Sequence, residues 1–301
     1  MPDSTIQLEN SETQDSIISE VRESVAKLCG DFQGEYWRKL DREQGYPTEF
    51  VKALTDAGFL GALIPEEYGG VGLGMVAASV ILEEIHHQGC NAAACHAQMY
   101  TMGTVLRHGS DEQKKEYLPK IADGTLRLQA FGVTEPTSGT DTTSLRTVAV
   151  RDGDDYIING QKIWTSGAQY ANWMFALVRT DPDAPKHEGI SFVVLPMDQP
   201  GVTVKPIKLI SGSSPFCETF FDNAVAKRED LIGELNKGWT VGKRLLQYER
   251  NATTKAKPKK DSKDKTPISL DGGKDISTKP NLEKARGGKL NLKKYSDSVE
   301  Y

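Results

Sequence analysis

The sequence predicts an α+β protein with an N-terminal helical domain, a middle antiparallel β-barrel or sandwich domain, and one further helix. Apolar residues recur at helical spacing up to about residue 125, alternate with polar residues over 126–235, and return to helical spacing from Asn236. Closely spaced strands without intervening helices favour a small antiparallel barrel or sandwich. We therefore divide the chain into a helical domain, a β domain, a single helix and a tail, at 1–125, 126–235, 236–250 and 251–301.

Capping and turn signals divide the helical domain. Ser11-Glu12-Thr13-Gln14 has the capping-box pattern, so we expect the first helix to begin there. Pro47 is expected to open a second helix, because proline fits the first helical turn. The largely apolar stretch from Met75 to Ile85 predicts a buried helix, and Ser110 is expected to cap another that ends near Asp123-Gly124.

The β domain begins with a predicted hairpin. Two alternating segments flank the turn sequence Asp152-Gly153-Asp154-Asp155, and Asn159-Gly160 indicates a second tight turn. Further strands are expected at Trp173–Val178, Ile190–Leu195, Val202–Ile207 and Glu218–Phe221.

Composition narrows the class of protein. The chain has 301 residues, 38% hydrophobic and 26% charged, which is typical of a soluble globular protein of two or more domains. No apolar run approaches the ~18 residues of a membrane span. The acidic N-terminus resembles neither a signal peptide nor a transit peptide. The four cysteines lack framework spacing, so we expect free thiols and a cytoplasmic protein, the cysteines being Cys29, Cys90, Cys95 and Cys217.

The tail differs in charge from the rest of the chain. Residues 251–301 hold 13 basic and 7 acidic residues, a net charge of +6, whereas the whole chain carries −5. Its lysines are interleaved with acids, proline and glycine, and no aromatic residue precedes Tyr295. This composition is typical of a Lys-rich linker or disordered tail. Binding of nucleic acid is therefore the weakest of the alternatives, and we predict no nucleic-acid partner.

A cluster of histidines and cysteines invites a metal-site interpretation. His86 and Cys90 are four residues apart, a spacing that can share one helix face, with His87, Cys95 and His96 nearby. No Cys-x-x-Cys pair accompanies them, and buried cysteines and partnered histidines are common in cores. We predict no metal site.

Two segments about twenty residues apart carry the strongest signal. Phe131–Asp141 contains Thr-Glu-Pro followed by Ser-Gly-Thr-Asp, and Gly160–Gly167 is followed by Ala171-Asn172-Trp173. In this order and spacing they resemble the flavin-binding middle domain of the acyl-CoA dehydrogenase family. Ile64–Gly70 and Gly109–Lys114 resemble two blocks of the α-domain of that family.

The resemblance covers roughly residues 15–250. It implies an N-terminal α-domain, a central β-domain and a C-terminal helical bundle, of which residues 236–250 would be the start. It also implies a fragment or truncated product of a longer enzyme, which would form a homo-dimer or homo-tetramer at full length and would retain flavin weakly as an isolated chain.

FAD is the cofactor that the resemblance implies. The backbone of residues 131–134 would lie along the flavin ring, the Thr134 and Ser166 hydroxyls would bond its heteroatoms, and Trp164 would pack against it. Gly139 would let the backbone approach the pyrophosphate. A flat amphipathic ring needs an apolar wall and a few aimed donors, which these residue types supply. The complete set is Phe131, Val133, Thr134, Gly139, Thr140, Trp164, Thr165 and Ser166.

Glu249 is the catalytic base that the resemblance implies. Gly238–Arg250 is similar to the first helix of the family's C-terminal bundle, and in the long-chain and isovaleryl-CoA branches this helix carries the catalytic glutamate just before an arginine. Glu249 and Arg250 match those positions. The glutamate would take the α-proton of the thioester while hydride passes to the flavin. The alternative interpretation of Glu249-Arg250 is a polar helix end.

Substrate contacts and partners follow from the same resemblance. The substrate would be an acyl-CoA, and an electron-transfer flavoprotein would accept the electrons. Two alternatives remain open: a flavin oxidase or monooxygenase of the same family, and a non-catalytic module that is either a partner-binding remnant or a pseudoenzyme. The residues expected to contact the substrate are Thr140, Gln247, Arg250, His96 and Met99.

Overall fold

The structure is a computed structural model that describes residues 4–250, except the side chains of residues 4–14, Tyr248 and Arg250. The predicted tail at 251–301 lies outside the described residues. Within the described part, no helix is both long enough and apolar enough to cross a membrane.

The described residues form seven α-helices. The first six precede the sheet and the seventh follows it, as the sequence predicts. Short 3-10 turns lie at Phe59–Gly61, Glu66–Tyr68, Thr142–Ser144 and Arg228–Asp230. The α-helices are α1 Ser4–Gly30, α2 Gly34–Glu43, α3 Thr48–Asp56, α4 Met75–His87, α5 Ala93–His108, α6 Asp111–Ala122 and α7 Gly238–Arg250.

The β domain is one seven-stranded sheet. Its hydrogen-bonded order is β1-β4-β2-β3-β7-β6, and β5 pairs with β4. Four pairings are antiparallel, but β4 pairs in parallel with β1 and, through one residue pair, with β2. The strands are β1 Ala130–Gly132, β2 Val148–Asp152, β3 Asp155–Ser166, β4 Trp173–Arg179, β5 Ile190–Pro196, β6 Val202–Ile207 and β7 Phe216–Lys227.

The parallel pairings correct the prediction of a purely antiparallel domain. They involve β1, which is three residues long and therefore too short to show alternation. Alternation reports which face of a strand is buried, whereas strand direction depends on partners distant in sequence. The predicted strands from residue 173 onward agree with β4 to β7, although β7 is longer than expected.

Two helix starts show where capping signals succeed and fail. The Ser110 hydroxyl accepts a hydrogen bond from the Gln113 N–H at 3.2 Å, and the Gln113 side chain accepts one from the Ser110 N–H at 2.9 Å, so the predicted cap of α6 is confirmed. The predicted start at Ser11 is wrong, because α1 begins at Ser4. Glutamate and glutamine are good helix formers, so the same pattern also occurs inside a helix. Helix α2 was not predicted.

The predicted turn at Asn159-Gly160 is also wrong. Strand β3 runs through it for twelve residues, and its register with β7 shifts between Ile158 and Gly160. Gly160 has φ of +148°, and a Cβ built there would lie 2.7 Å from Thr147 Cα. The lack of a side chain at Gly160 therefore permits a bulge and a close approach of the Thr147 backbone. A glycine within a strand often marks such a site.

Three apolar clusters hold the fold together. One joins α1, α3, α4 and the N-terminal half of α5, and another covers the opposite face of the sheet from α7. The central cluster joins α5 and α6 to β4, β5 and α7, through residues such as Phe192 and Leu245. A Cβ on Gly238 would lie 2.3 Å from the Phe192 backbone nitrogen, so α7 begins in close contact with β5. The sheet therefore carries both α5 and α7 on one side.

The four cysteines predicted to be free thiols are free and buried in the structure: Cys29, Cys90, Cys95 and Cys217. The assumed i,i+4 relation of His86 and Cys90 on one helix is wrong, because α4 ends at His87. Among residues 4–250 the structure contains no group of three or more histidine, cysteine or carboxylate side chains placed to hold a metal.

Candidate functional site

The two segments singled out in the sequence lie side by side. The Ile163 N–H donates to the Thr134 carbonyl at 2.9 Å, which joins the chain after β1 to the end of β3. The loop then folds back, since a Cβ on Gly139 would lie 3.8 Å from the Thr134 methyl group. The structure thus brings residues 131–134, 139–140 and 164–166 into one region.

Trp164 has an unusual conformation for a large aromatic residue. Its φ is +63°, in the left-handed region, and it occupies an irregularity in the pairing of β3 with β7 between Lys162 and Thr165. Its side chain is 52% exposed, and the Phe216 ring meets it edge-on at 6.1 Å. Such backbone costs of order 1–3 kcal/mol and is concentrated at functional sites. An exposed indole held this way offers a flat apolar wall to a ligand.

Two buried hydroxyl groups in these segments have no hydrogen-bond partner in the described structure. Thr165 is 1% exposed, and its Oγ1 has no hydrogen-bond partner among the described residues; the same holds for the buried Ser138 Oγ. Thr134 is partly buried and Ser166 is exposed. A buried hydroxyl without a partner is costly, and a bound ligand can supply one. An aromatic wall, several hydroxyls and a glycine in the adjoining loop fit a flavin with its diphosphate.

A buried ion pair lies directly behind these segments. Lys162 is fully buried, and its Nζ lies 2.8 Å from Glu135 Oε1 and 3.3 Å from the Val133 carbonyl oxygen. The Glu135 carboxylate also accepts the backbone N–H groups of Arg146 at 2.6 Å and Thr147 at 2.9 Å. One buried polar cluster therefore joins three segments of the chain, through the Lys162 ammonium, the Glu135 carboxylate and one backbone group each of Val133, Arg146 and Thr147.

The two charges of this pair respond differently to burial. Burial lowers the pKa of Lys162 to about 8, although the Glu135 carboxylate opposes the shift. Burial alone would raise the pKa of Glu135, but Lys162 and the donated hydrogen bonds outweigh it and lower that pKa. Sequence reasoning missed this pair. Its signal was the position of Lys162 on the same alternating face of β3 as the buried Tyr156 and Ile158.

Glu249 lies in the last turn of α7, against α5. The His96 ring makes a hydrogen bond with the Glu249 backbone, while burial holds the pKa of His96 below its usual value. The Tyr100 ring stands edge-on to His96 at 5.3 Å, and burial, followed by the nearby Glu249 charge, raises the pKa of Tyr100. The Glu249 side chain itself is exposed. The structure thus places the predicted base beside one predicted substrate residue, His96.

The helix end and the flavin segments share one apolar cluster. The Phe131 ring lies 6.2 Å from the Phe192 ring, and both pack in the cluster that contains Leu245 of α7 and the Tyr100 ring. One turn of α7 separates Leu245 from Glu249. The strands and helices therefore carry the predicted base toward the side of the sheet where Phe131 packs.

The other predicted substrate residues are more dispersed. Met99 is 3% exposed and packs in the α-domain core, whereas Thr140 is exposed in the loop after Gly139. Gln247 is partly buried and accepts a hydrogen bond from Arg244 at 2.9 Å. The side chain of Arg250 lies outside the described part of the structure. Contact of these residues with a substrate remains a prediction.

Two family models match this chain, one over the helical domain and one over the β domain. The model of the acyl-CoA dehydrogenase N-terminal domain matches residues 11–125, and the model of the acyl-CoA dehydrogenase middle domain matches residues 130–224. The two models describe consecutive domains of one family.

Individual relatives give the same result. The acyl-CoA dehydrogenase FadE29 of Mycobacterium tuberculosis is 36% identical over 238 residues, which are 79% of this chain and 60% of the relative. The solved Tcur3481-Tcur3483 steroid ACAD has a TM-score of 0.70 at 36% identity, over 78% of this chain and 62% of its own.

A glutaryl-CoA dehydrogenase solved with glutaryl-CoA has a TM-score of 0.70 at 30% identity, over 78% of this chain and 61% of its own. The chain thus spans about 60% of the length of these relatives. Two consecutive domain models and this degree of identity, on a structure that assembles the predicted flavin segments, lead to one conclusion: the chain belongs to the acyl-CoA dehydrogenase family of flavoprotein oxidoreductases.

Proposed function

We propose that this protein carries out FAD-dependent α,β-dehydrogenation of an acyl-CoA thioester, with Glu249 as the base. The observation that carries the proposal is Trp164. Its indole is exposed on strained backbone, the next residue carries the unpartnered Thr165 hydroxyl, and the preceding residue, Ile163, is hydrogen-bonded to Thr134. When bound, FAD supplies the hydride acceptor; the chain supplies orientation, exclusion of water and a proton acceptor.

The first task of the residues is to hold the cofactor. Trp164 would provide an apolar wall for the ring, and the Thr134 and Ser166 hydroxyls would hydrogen-bond its heteroatoms. Phe131 and Val133 would line the site with backbone and apolar surface, and the buried Thr165 hydroxyl would be available to the cofactor. Gly139 leaves space for a phosphate near Thr140, because it lacks a side chain.

The second task is to take the α-proton of the substrate. The Glu249 carboxylate accepts it, and the hydrogen bond from His96 to the Glu249 backbone holds the last turn of α7 in place. Leu245, fully buried one turn earlier, anchors the helix to the sheet. The residues proposed to contact the substrate are Gln247, Arg250, Thr140 and Met99. His96 is proposed to line the wall of the substrate pocket.

Further aspects of the proposal concern the cellular setting. We propose a cytoplasmic protein that passes electrons to an electron-transfer flavoprotein and functions as a homo-dimer or homo-tetramer. These proposals rest on the family and on the predicted free thiols, which the structure shows as four buried cysteines.

The test is an anaerobic titration of the FAD-loaded chain with acyl-CoA esters. The panel holds straight-chain, branched, glutaryl and steroid side-chain thioesters, since relatives include a steroid ACAD and a glutaryl-CoA dehydrogenase. We expect one class to bleach the flavin bands. Glu249→Gln should bind FAD as before and lose the bleaching, whereas Glu234→Gln, an exposed glutamate just before α7, should behave like the wild type.

The outcomes separate the alternatives. Bleaching that persists in Glu249→Gln would remove Glu249 as the base. Flavin that binds but never bleaches with any ester would favour a non-catalytic protein. Bleached flavin that returns at once in air would favour an oxidase or monooxygenase. A chain that binds no FAD would contradict the cofactor assignment for the chain as it stands.

A further inference from the structure

The buried pair of Lys162 and Glu135 joins the two segments that carry the proposed flavin contacts. Glu135 directly follows Thr134, and Lys162 lies two residues before Trp164. The Lys162 ammonium also donates to the Val133 carbonyl oxygen at 3.3 Å, so it binds the first segment at two points. A single lysine therefore connects the strand that carries Trp164 to the segment that carries Thr134.

The Glu135 carboxylate also connects these segments to the loop that begins at Gly139, where the phosphate is proposed to bind. Glu135 accepts the N–H groups of Arg146 and Thr147, where the loop that begins at Gly139 rejoins the sheet. Arg179 donates to the Thr143 carbonyl oxygen at 2.6 Å within the same loop, and its charge interacts with Glu135. The charged groups facing Glu135 are thus Lys162 and Arg179, both largely buried.

The strained backbone of Trp164 requires such support. A large side chain at φ of +63° persists only where neighbouring contacts impose that conformation. The hydrogen bond from Ile163 to Thr134 and the ion pair at Lys162 immediately precede Trp164. A fully buried ion pair is also a poor source of stability compared with apolar packing, so its presence points to a geometric role.

We infer that the Lys162–Glu135 pair is a positioning device, which holds residues 131–134, the loop after Gly139 and residues 164–166 at the spacing that the flavin site needs. This inference rests on the proposed function for the identity of the ligand. The positioning itself is a property of the chain. It can be measured without any ligand bound.

Glu135→Gln tests the device with little change in side-chain volume. The carboxylate accepts from Arg146 through Oε2, and from Thr147 and Lys162 through Oε1. An amide has only one oxygen, so its NH₂ group must face one of these donors. If the oxygen stays with Lys162 and Thr147, the Arg146 N–H loses its acceptor. Adding Lys162→Met to Glu135→Gln removes both charges together, so no uncompensated charge stays buried.

The matched control is the exposed pair at the end of β7, Lys227 and Glu229 of the turn that follows, at 3.7 Å with both side chains mostly exposed. Lys227→Met with Glu229→Gln makes the same chemical changes there. Amide hydrogen exchange is measured on the full chain at Ile163, Arg146 and Thr147, and compared with amides of β6 and β7. The Kd for FAD is measured by fluorescence titration on the same proteins.

In Glu135→Gln we expect the Arg146 amide to exchange at least tenfold faster than in the wild type. In the double variant we expect at least tenfold faster exchange of the Arg146, Thr147 and Ile163 amides, with the amides of β6 unchanged. The Kd for FAD should rise at least tenfold in the double variant and stay within twofold in the control. Amide exchange rates and a Kd for FAD that stay within twofold of the wild-type values would overturn the inference. Exchange that is equally faster throughout the sheet would also overturn it, because it indicates general destabilisation of the sheet. If the double variant does not fold, Glu135→Gln alone decides by the same criteria. A wild type that binds no FAD would count against the proposed function, while the exchange data would still decide the positioning.

Discussion

Replacing Gly160 with alanine tests the bulge that sets the register of β3. Gly160 has φ of +148°, and an added Cβ would lie 2.7 Å from Thr147 Cα and Oγ1 and 2.9 Å from Thr147 Cβ. Two of these three atoms belong to the side chain, but the Cα cannot move without the backbone. Thr147 also donates its N–H to Glu135, so the collision reaches the flavin segments.

The magnitude has two parts. A non-glycine residue in this region of backbone space costs about 1–3 kcal/mol. Forcing an extra carbon into a packed site costs about 1–3 kcal/mol more. We therefore expect Gly160→Ala to lower the free energy of unfolding by about 2–6 kcal/mol, a large part of the roughly 5–15 kcal/mol of a typical domain.

Gly153 provides the matched control. It lies in the turn between β2 and β3 with φ of +61°, and an added Cβ would meet no atom within 4 Å. Gly153→Ala should therefore cost only the conformational part, about 1–2 kcal/mol. The difference between the two variants therefore reports mainly the collision with Thr147.

Urea unfolding followed by tryptophan fluorescence measures both variants against the wild type. We expect the midpoint of Gly160→Ala to fall well below that of Gly153→Ala. If the two variants differ by less than about 0.5 kcal/mol, well under the predicted collision cost, the close contact with Thr147 does not constrain the strand, and the account of the bulge is wrong.

Three further predictions concern stability and are measured by urea unfolding. Leu245→Ala should cost about 2–5 kcal/mol, because a fully buried side chain leaves a cavity between α7 and the sheet; a loss below about 1 kcal/mol would mean that α7 is loosely docked. Ser110→Ala should cost about 1 kcal/mol through loss of the α6 cap, and no measurable change would contradict the capping geometry. Burial would raise the pKa of Glu84, but hydrogen bonds from Gln88 and Arg22 hold that pKa below its ordinary 4.5. Glu84 therefore stabilises the fold above pH 4.5, and this stabilisation is lost as the pH falls through the lowered pKa. Glu84→Gln should accordingly reduce the drop in urea midpoint between pH 7 and acid pH, and an unchanged drop would remove Glu84 from the acid response.

Much of the fold was readable from local patterns. The buried helix α4, the cap at Ser110 and the hairpin at Gly153 follow from side-chain periodicity and turn chemistry, which act over a few residues. The errors have one physical origin. Asn159-Gly160 and Ser11-Gln14 carry signals that fit two local structures, and only contacts distant in sequence select between them.

The candidate site shows the same division. The residues proposed to contact the flavin were found from two sequence segments and a resemblance, but the pair Lys162–Glu135 was not. Both residues lie within the two motif segments, and Lys162 lies on the alternating buried face of β3, but neither feature identifies the partner of the other residue. A lysine in an alternating strand is usually exposed, and its burial here depends on Glu135 meeting it 27 positions away.

The sequence by itself determined the helical and β parts, the family motifs and the identity of the proposed base, because each depends on residue type at short spacing. Only the tertiary structure decided the parallel pairings of β4, the left-handed backbone of Trp164 and the proximity of Glu249 to His96. These features require segments far apart in the chain to meet. Their energies come from packing and buried charge, which no local pattern encodes.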